Sequence, residues 1–106
     1  MRNNVPTILI VEDDERIRNL MRTVLTGAGY ATLETGKAAT AVSMLASHSP
    51  DLMLLDLGLP DRDGQELLSD IRTWSSVPVV VVSARGQEKD KVRALDDGAD
   101  DYITKP

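Results

Sequence analysis

A chain of 106 residues is the size of one domain, and its apolar fraction of 42% suffices for a core that Leu, Val, Ile and Met must fill, because Phe is absent. A formal charge of −5, from 17 acidic against 12 basic residues, argues against a domain that grips nucleic acid by itself, since neutralising phosphates needs a basic surface. The lack of cysteine excludes a disulfide framework and a thiolate metal site; with no apolar run near the ~18 residues of a membrane span and no signal-peptide centre, a soluble cytoplasmic domain is expected.

Met1 to Pro6 reads as a polar leader. Thr7 to Val11 is a short apolar strand that ends in three carboxylates, Glu12, Asp13 and Asp14. Ile17, Leu20, Met21, Val24 and Leu25 then recur at helical spacing on one face, and Gly27 and Gly29 supply the stop. Ala31 to Thr35 is a second strand. Ala38, Ala41, Val42 and Leu45 mark a second helix, which Ser49-Pro50 breaks. Leu52 to Leu55 is an unbroken apolar run, the pattern of a strand buried on both faces. A third helix carries the stripe Leu67, Leu68, Ile71 and Trp74. Val79 to Val82 forms a fourth strand ending in Ser83. A fourth helix runs from Glu88 to Asp97, with Val92, Leu95 and Ala94 as a thin apolar face, and Gly98 ends it. Asp101 to Ile103 is a short fifth strand before Thr104-Lys105-Pro106. Strands alternating with helices imply βαβ units and a parallel sheet, hence an α/β fold.

Parallel strands share one C-terminal edge, the edge at which open α/β sheets bind ligands. The first strand delivers Glu12 and Asp13 there, the third Asp56, the fourth Ser83 and the fifth Lys105. Each has a plainer reading when taken alone. Asp56 opens a loop rich in Gly, Pro and Asp; Glu12 and Asp13 suit a helix start; Ser83 suits a cap; Lys105 suits a surface. Five such coincidences on one edge outweigh those readings.

Close carboxylates repel and raise one another's pKa unless a cation joins them. Oxygen-only ligands suit Mg2+, which is held by few protein carboxylates together with water and phosphate oxygens. A carboxylate can attack phosphorus to give an aspartyl phosphate, and the transferring group needs its equatorial charge neutralised. Mg2+ and Lys105 fit that need, and the Ser83 hydroxyl can donate a hydrogen bond. Acyl hydrolysis fits poorly, because the sole histidine, His48, sits in a Ser-rich helix end and reads as a surface residue.

At these residues the chain resembles the receiver domain of two-component response regulators. The resemblance is carried by Ile10-Val11-Glu12-Asp13-Asp14, Leu54-Leu55-Asp56, Leu59-Pro60-Asp61-Arg62-Asp63-Gly64, Val82-Ser83-Ala84, and Gly98 through Pro106, in order and at the right spacing. It is similar to the OmpR/PhoB type, and within that type most to the potassium-transport (Kdp) regulators. The resemblance implies a flavodoxin-like five-stranded sheet of order 2-1-3-4-5 with helices on both faces. It implies that Asp56 accepts a phosphoryl group from a sensor histidine kinase, with Mg2+ bound by Asp13, Asp56, Glu12 through water, and the Gly58 carbonyl. It makes Ser83 and Tyr102 a switch pair, Lys105 a catalytic lysine followed by a cis peptide bond to Pro106, and Asp14 a cap of the first helix rather than a ligand. The protein is then a regulatory phosphoacceptor that promotes its own phosphoryl transfer and slow dephosphorylation, not an enzyme acting on other substrates.

Two features depart from the commonest pattern: Glu12 stands where many members have Asp, and Ser83 where Thr is commoner. The resemblance also implies a fifth helix after Lys105-Pro106 and, in this type, a C-terminal DNA-binding domain and a homodimer on activation. The expectation is therefore a receiver over residues 1–106 truncated before its fifth helix, with DNA contacted only through a domain absent from these residues. Right-handed crossovers would put the first helix alone on one sheet face, leaving the third to fifth strands bare there. Two competing classes are disfavoured by the residues present. A partner-binding pseudo-receiver would lack Asp13, Asp56 or Lys105, and a Mg2+-dependent phosphohydrolase would need a substrate cap that the short loops do not supply.

Overall fold

The computed structural model describes residues 5–105. Most of the polar leader and the peptide bond to Pro106 lie outside the described residues. Strand and helix alternate along the chain: β1 (Thr7–Val11), α1 (Glu15–Gly27), β2 (Ala31–Thr35), α2 (Ala38–His48), β3 (Leu52–Leu55), α3 (Gly64–Ile71), β4 (Val79–Ser83), α4 (Glu88–Asp96) and β5 (Asp101–Thr104). All strand pairs are parallel, and the sheet order is β2-β1-β3-β4-β5, the order the resemblance implied.

The two faces of the sheet are covered unequally. Leu9 and Val11, Met53 and Leu55, and Val79 and Val81 form one row of the register and pack into the main core. The helices opposite them contribute Ala38, Ala41 and Leu45 from α2, Leu67, Leu68 and Ile71 from α3, and Ala94 from α4. Ile8, Ile10, Leu52, Leu54, Val80, Val82 and Ile103 form the other row. Among the described residues, α1 is the one helix on that side. Ile8 and Ile10 are buried beneath it, but β3 and β4 alternate between buried and half-buried, and Ile103 is 51% exposed. No residue of α1 is buried, and Leu20 and Val24, read from spacing as part of its apolar face, are 62% and 60% exposed. The periodicity located the correct helix; part of its stripe points toward the bare side of the sheet.

Three further expectations change. Trp74 does not extend the α3 stripe, because the helix stops at Ile71 and the chain turns, leaving the indole exposed. On α4 the buried residue is Ala94, while Val92 and Leu95 are exposed; a small side chain meets the sheet where the larger ones were expected to. The fifth strand also gains Thr104, which pairs with Ser83. The stops fall as read: Gly29 and Gly98 have φ of 98° and 115°, values that suit glycine, whereas Gly27 is the last residue of α1 rather than its terminator. Asp14 caps α1, its carboxylate accepting from the Arg16 and Ile17 amides at 2.9 and 3.2 Å.

Candidate phosphoacceptor and cation site

Register builds the site. In the β1–β3 pair Val11 lies opposite Leu55, so the next residues, Glu12 and Asp56, leave the sheet side by side. Pairing of Ser83 with Thr104 puts Lys105 just beyond the end of β4. From there the Lys105 ammonium reaches back across β4, with Nζ 2.6 Å from Glu12 Oε1 and 3.4 Å from Asp56 Oδ2. Asp13 completes the group: carboxylate oxygens of Glu12, Asp13 and Asp56 lie within 4.8 Å of one another. Glu12 and Asp56 are 1% and 7% exposed, whereas Asp13 is open to solvent, so the cluster has a buried floor and an accessible rim.

The buried charges are held by specific contacts. The Asp14 amide donates to Glu12 Oε2 at 3.0 Å, and the Gly58 amide donates to Asp56 Oδ1 at 3.3 Å. Arg18 donates to the Glu12 carbonyl at 2.9 Å and pairs with Glu34 on β2, which secures the end of β1. Burial pushes the Glu12 carboxyl above its usual value; Lys105 and the Asp14 amide oppose the shift, and the charge on Asp56 adds to it. Burial also works against charge on Lys105, but Glu12 and Asp56 outweigh it and hold the ammonium above its ordinary value. Three carboxylates against one ammonium leave the site short of positive charge. Hard oxygen donors on an open rim are a set that fits a divalent cation such as Mg2+.

The approach to Asp56 is shaped by the β3–α3 loop. A side chain at position 64 would put its Cβ 2.5 Å from Leu57 Cα and 2.7 Å from the Asp56 carbonyl oxygen, so only glycine lets α3 start this close to the end of β3. Ser83 is buried, and its Oγ accepts from the Arg85 amide at 3.1 Å. The Tyr102 hydroxyl donates to the Arg85 carbonyl, with its ring packed against the core, and burial raises its pKa. The Arg85 guanidinium spans to the β3–α3 loop, 3.3 Å from the Leu57 carbonyl and 2.8 Å from Asp63.

The structure thus brings Glu12, Asp13, Asp56, Gly58 and Lys105 together, with Ser83 and Tyr102 joined beside them through Arg85. His48 is exposed at the far end of α2, with its ring beside Ser47 Oγ. Sequence reasoning missed Arg85 and Asp61. Arg85 carried no motif signal. Asp61 stands inside the loop motif with no local signal of its own, although α2 begins at Lys37-Ala38 without a capping side chain, which is a sign that the cap comes from elsewhere.

Comparison with known proteins places the chain in a family. The response regulator receiver domain family matches residues 8–106. The chain is 52% identical over 99 residues to the KDP operon transcriptional regulatory protein KdpE of Escherichia coli K12, covering 93% of this chain and 44% of that protein. It is 43% identical over 102 residues to the phosphate regulon transcriptional regulatory protein PhoB of the same strain, covering 93% and 44%. Among solved structures, the BeF3-activated receiver domain of RstA from Klebsiella pneumoniae superposes with a TM-score of 0.89 at 31% identity, over 94% of this chain and 87% of that one. The chain spans less than half the length of the curated regulators it matches. On its sequence, its sheet order and its acidic edge, the chain belongs to the response regulator receiver domain family, as an OmpR/PhoB-type receiver of KdpE-like sequence.

Proposed function

We propose that Asp56 is the phosphoacceptor of a signalling receiver, taking its phosphoryl group from the phosphohistidine of a sensor histidine kinase. The observation that carries the reading is Lys105 Nζ lying between Glu12 and Asp56 at the end of a parallel sheet, with a third carboxylate on the open rim. A carboxylate oxygen of Asp56 attacks phosphorus; the P–O bond forms as the P–N bond to the donor imidazole breaks, and the imidazole leaves with a proton. Lys105 stabilises charge on the phosphoryl oxygens, and Ser83 Oγ turns from the Arg85 amide to donate to one of them. Glu12, Asp13, Asp56 and the Gly58 carbonyl would hold Mg2+, which when bound supplies the charge neutralisation that Lys105 alone does not. The same groups, with water as nucleophile, support slow loss of the phosphoryl group.

Ser83 and Tyr102 serve as the switch pair, since both meet Arg85 at the start of the segment leading into α4. The half-bare face beside α1 supports a fifth helix as its cover. The greater length of the relatives and their names as transcriptional regulatory proteins support a C-terminal DNA-binding domain that acts in transcription regulation; a homodimer on activation and a cytoplasmic setting belong to the same reading. No described helix is long and apolar enough to cross a membrane.

The test is to incubate wild type and Asp56→Asn with acetyl phosphate and Mg2+ and to weigh the intact proteins. The wild type should gain one phosphoryl group and the variant none; an equal adduct on both would overturn Asp56 as acceptor.

A further inference from the structure

The β3–α3 loop is closed at its neck and tied at its tip. At the neck, Gly58 and Asp63 form an antiparallel bridge, and the Gly64 amide donates to the Leu57 carbonyl at 2.8 Å. At the tip, Asp61 reaches away from its own helix. Its Oδ1 accepts from the Ala38 amide at 2.9 Å and its Oδ2 from the Ala39 amide at 3.1 Å. Those amides open α2, whose N-cap residue, Lys37, makes no side-chain cap bond. The first amides of a helix have no partner within it, and they carry the positive end of its dipole. A carboxylate is the group that answers both needs, and here it comes from 23 residues further along the chain.

The tie has a consequence for the acidic site. Gly58 is itself one side of that neck, on the same loop as Asp61, with its amide on Asp56 Oδ1. α2 is anchored independently through Ala38, Ala41 and Leu45 in the core. The exposed turn Pro60-Asp61 therefore borrows rigidity from a buried helix. Without the tie, the loop would keep its neck, Leu59, the Arg85 contacts to the Leu57 carbonyl and Asp63, and the ion pairs of Arg62 with Glu66 and Asp70, but would lose its link to α2.

We propose that Asp61 is a positioning residue for the cation site: by capping α2 across the chain it keeps the β3–α3 loop, and with it the Gly58 carbonyl, in register with Asp56. The inference rests on the reading of Glu12, Asp13, Asp56 and Gly58 as a Mg2+ site.

The experiment uses wild type, Asp61→Asn, Asp61→Ala and the double variant Lys37→Ser/Asp61→Ala. Mg2+ affinity is read by calorimetry, stability by urea midpoint, and loop order by amide hydrogen exchange of the metal-free protein. Asp61→Ala should weaken Mg2+ binding roughly ten-fold, the low end of what loss of an outer partner costs a metal site. It should also speed exchange at Ala38, Ala39 and Gly58. Asp61→Asn, which keeps one acceptor oxygen, should fall between wild type and alanine. Lys37→Ser gives α2 a local cap, so the double variant should regain the urea midpoint while Mg2+ binding stays weak. A double variant that regains both would make Asp61 a helix cap and nothing more, and Asp61→Ala binding Mg2+ as tightly as wild type would overturn the tether directly. If the double variant regains neither, exchange decides: acceleration at Gly58 but not at Leu55 supports the tether, and equal acceleration overturns it. Wild type that binds no Mg2+ would remove the site reading itself, an outcome distinct from wild type binding with all variants alike.

Discussion

Lys105 and Asp61 show how single charges act here, with opposite signs in pH. The Lys105 ammonium is opposed by its burial and raised by Glu12 and Asp56, so its contribution to stability is complete below the usual lysine value and is lost as pH rises through the folded-state pKa. Asp61 runs the other way. The Ala38 and Ala39 amides, and behind them Lys37, hold its carboxyl below the usual 3.8. Its contribution is therefore present above the unfolded value and lost as pH falls through the folded one. The urea-midpoint advantage of wild type over Asp61→Asn should be flat from neutral pH down to about the ordinary carboxylate range and should shrink only below it. An advantage that declines steadily from pH 7 would assign it to some other titrating group.

At the scale of elements, helix ends decide more than helix interiors. α2 ends on Ser49 in the left-handed region, at φ 47° and ψ 58°, where a Cβ is unfavourable. Ser49→Gly should raise stability by about 1 kcal/mol, read as a higher urea midpoint with unchanged slope. A lower midpoint would mean that the serine side chain compensates for the strain. The same contrast between ends and interiors explains what could be read in advance. β3 and β4 stand out because Leu52–Leu55 and Val79–Val82 are unbroken apolar runs bounded by loop residues, whereas β2, Ala31–Thr35, carries only a weak pattern. The self-capped α1 was visible too, since Asp14 precedes its own helix. Asp61 capping α2 was not, because a cap recruited across 23 residues depends on tertiary placement rather than local pattern. Nor was the buried face of α4, since apolar residues at 92, 94 and 95 fit more than one helical face and only packing selects Ala94. Of the acidic site, Glu12, Asp13, Asp56 and Lys105 were legible as strand-end residues. Arg85, which links Ser83 to the β3–α3 loop, stood on no pattern.

For the whole molecule, the unequal covering of the sheet sets the balance. One face carries α2, α3 and α4 over a continuous core; the other has α1 over β1 and β2 and leaves a groove of about 590 Å³ running from Leu20 to Ile103 and up to Asp56. Covering such a face by roughly 400 Å² is worth on the order of 10 kcal/mol before ordering entropy is subtracted, comparable to the ~5–15 kcal/mol net stability of a domain. This 106-residue chain should therefore associate through that face as concentration rises. In sedimentation, Ile103→Lys should remain monomeric where wild type does not, with stability changed by less than about 0.5 kcal/mol, as at an exposed position. A wild type that stays monomeric, or a lysine variant that loses several kcal/mol, would show that the face is already covered. The groove ends at the acidic edge, so the fold delivers its least protected surface and its most concentrated charge to the same place. The claim that this edge is a phosphoacceptor site is tested most directly by locating the phosphoryl group. Treat the protein with acetyl phosphate and Mg2+, reduce the acyl phosphate with borohydride, and sequence the peptides by mass spectrometry. The account predicts homoserine at position 56 alone, dependent on the phosphodonor and lost when the metal is chelated; homoserine at position 13, or at no aspartate, would contradict it.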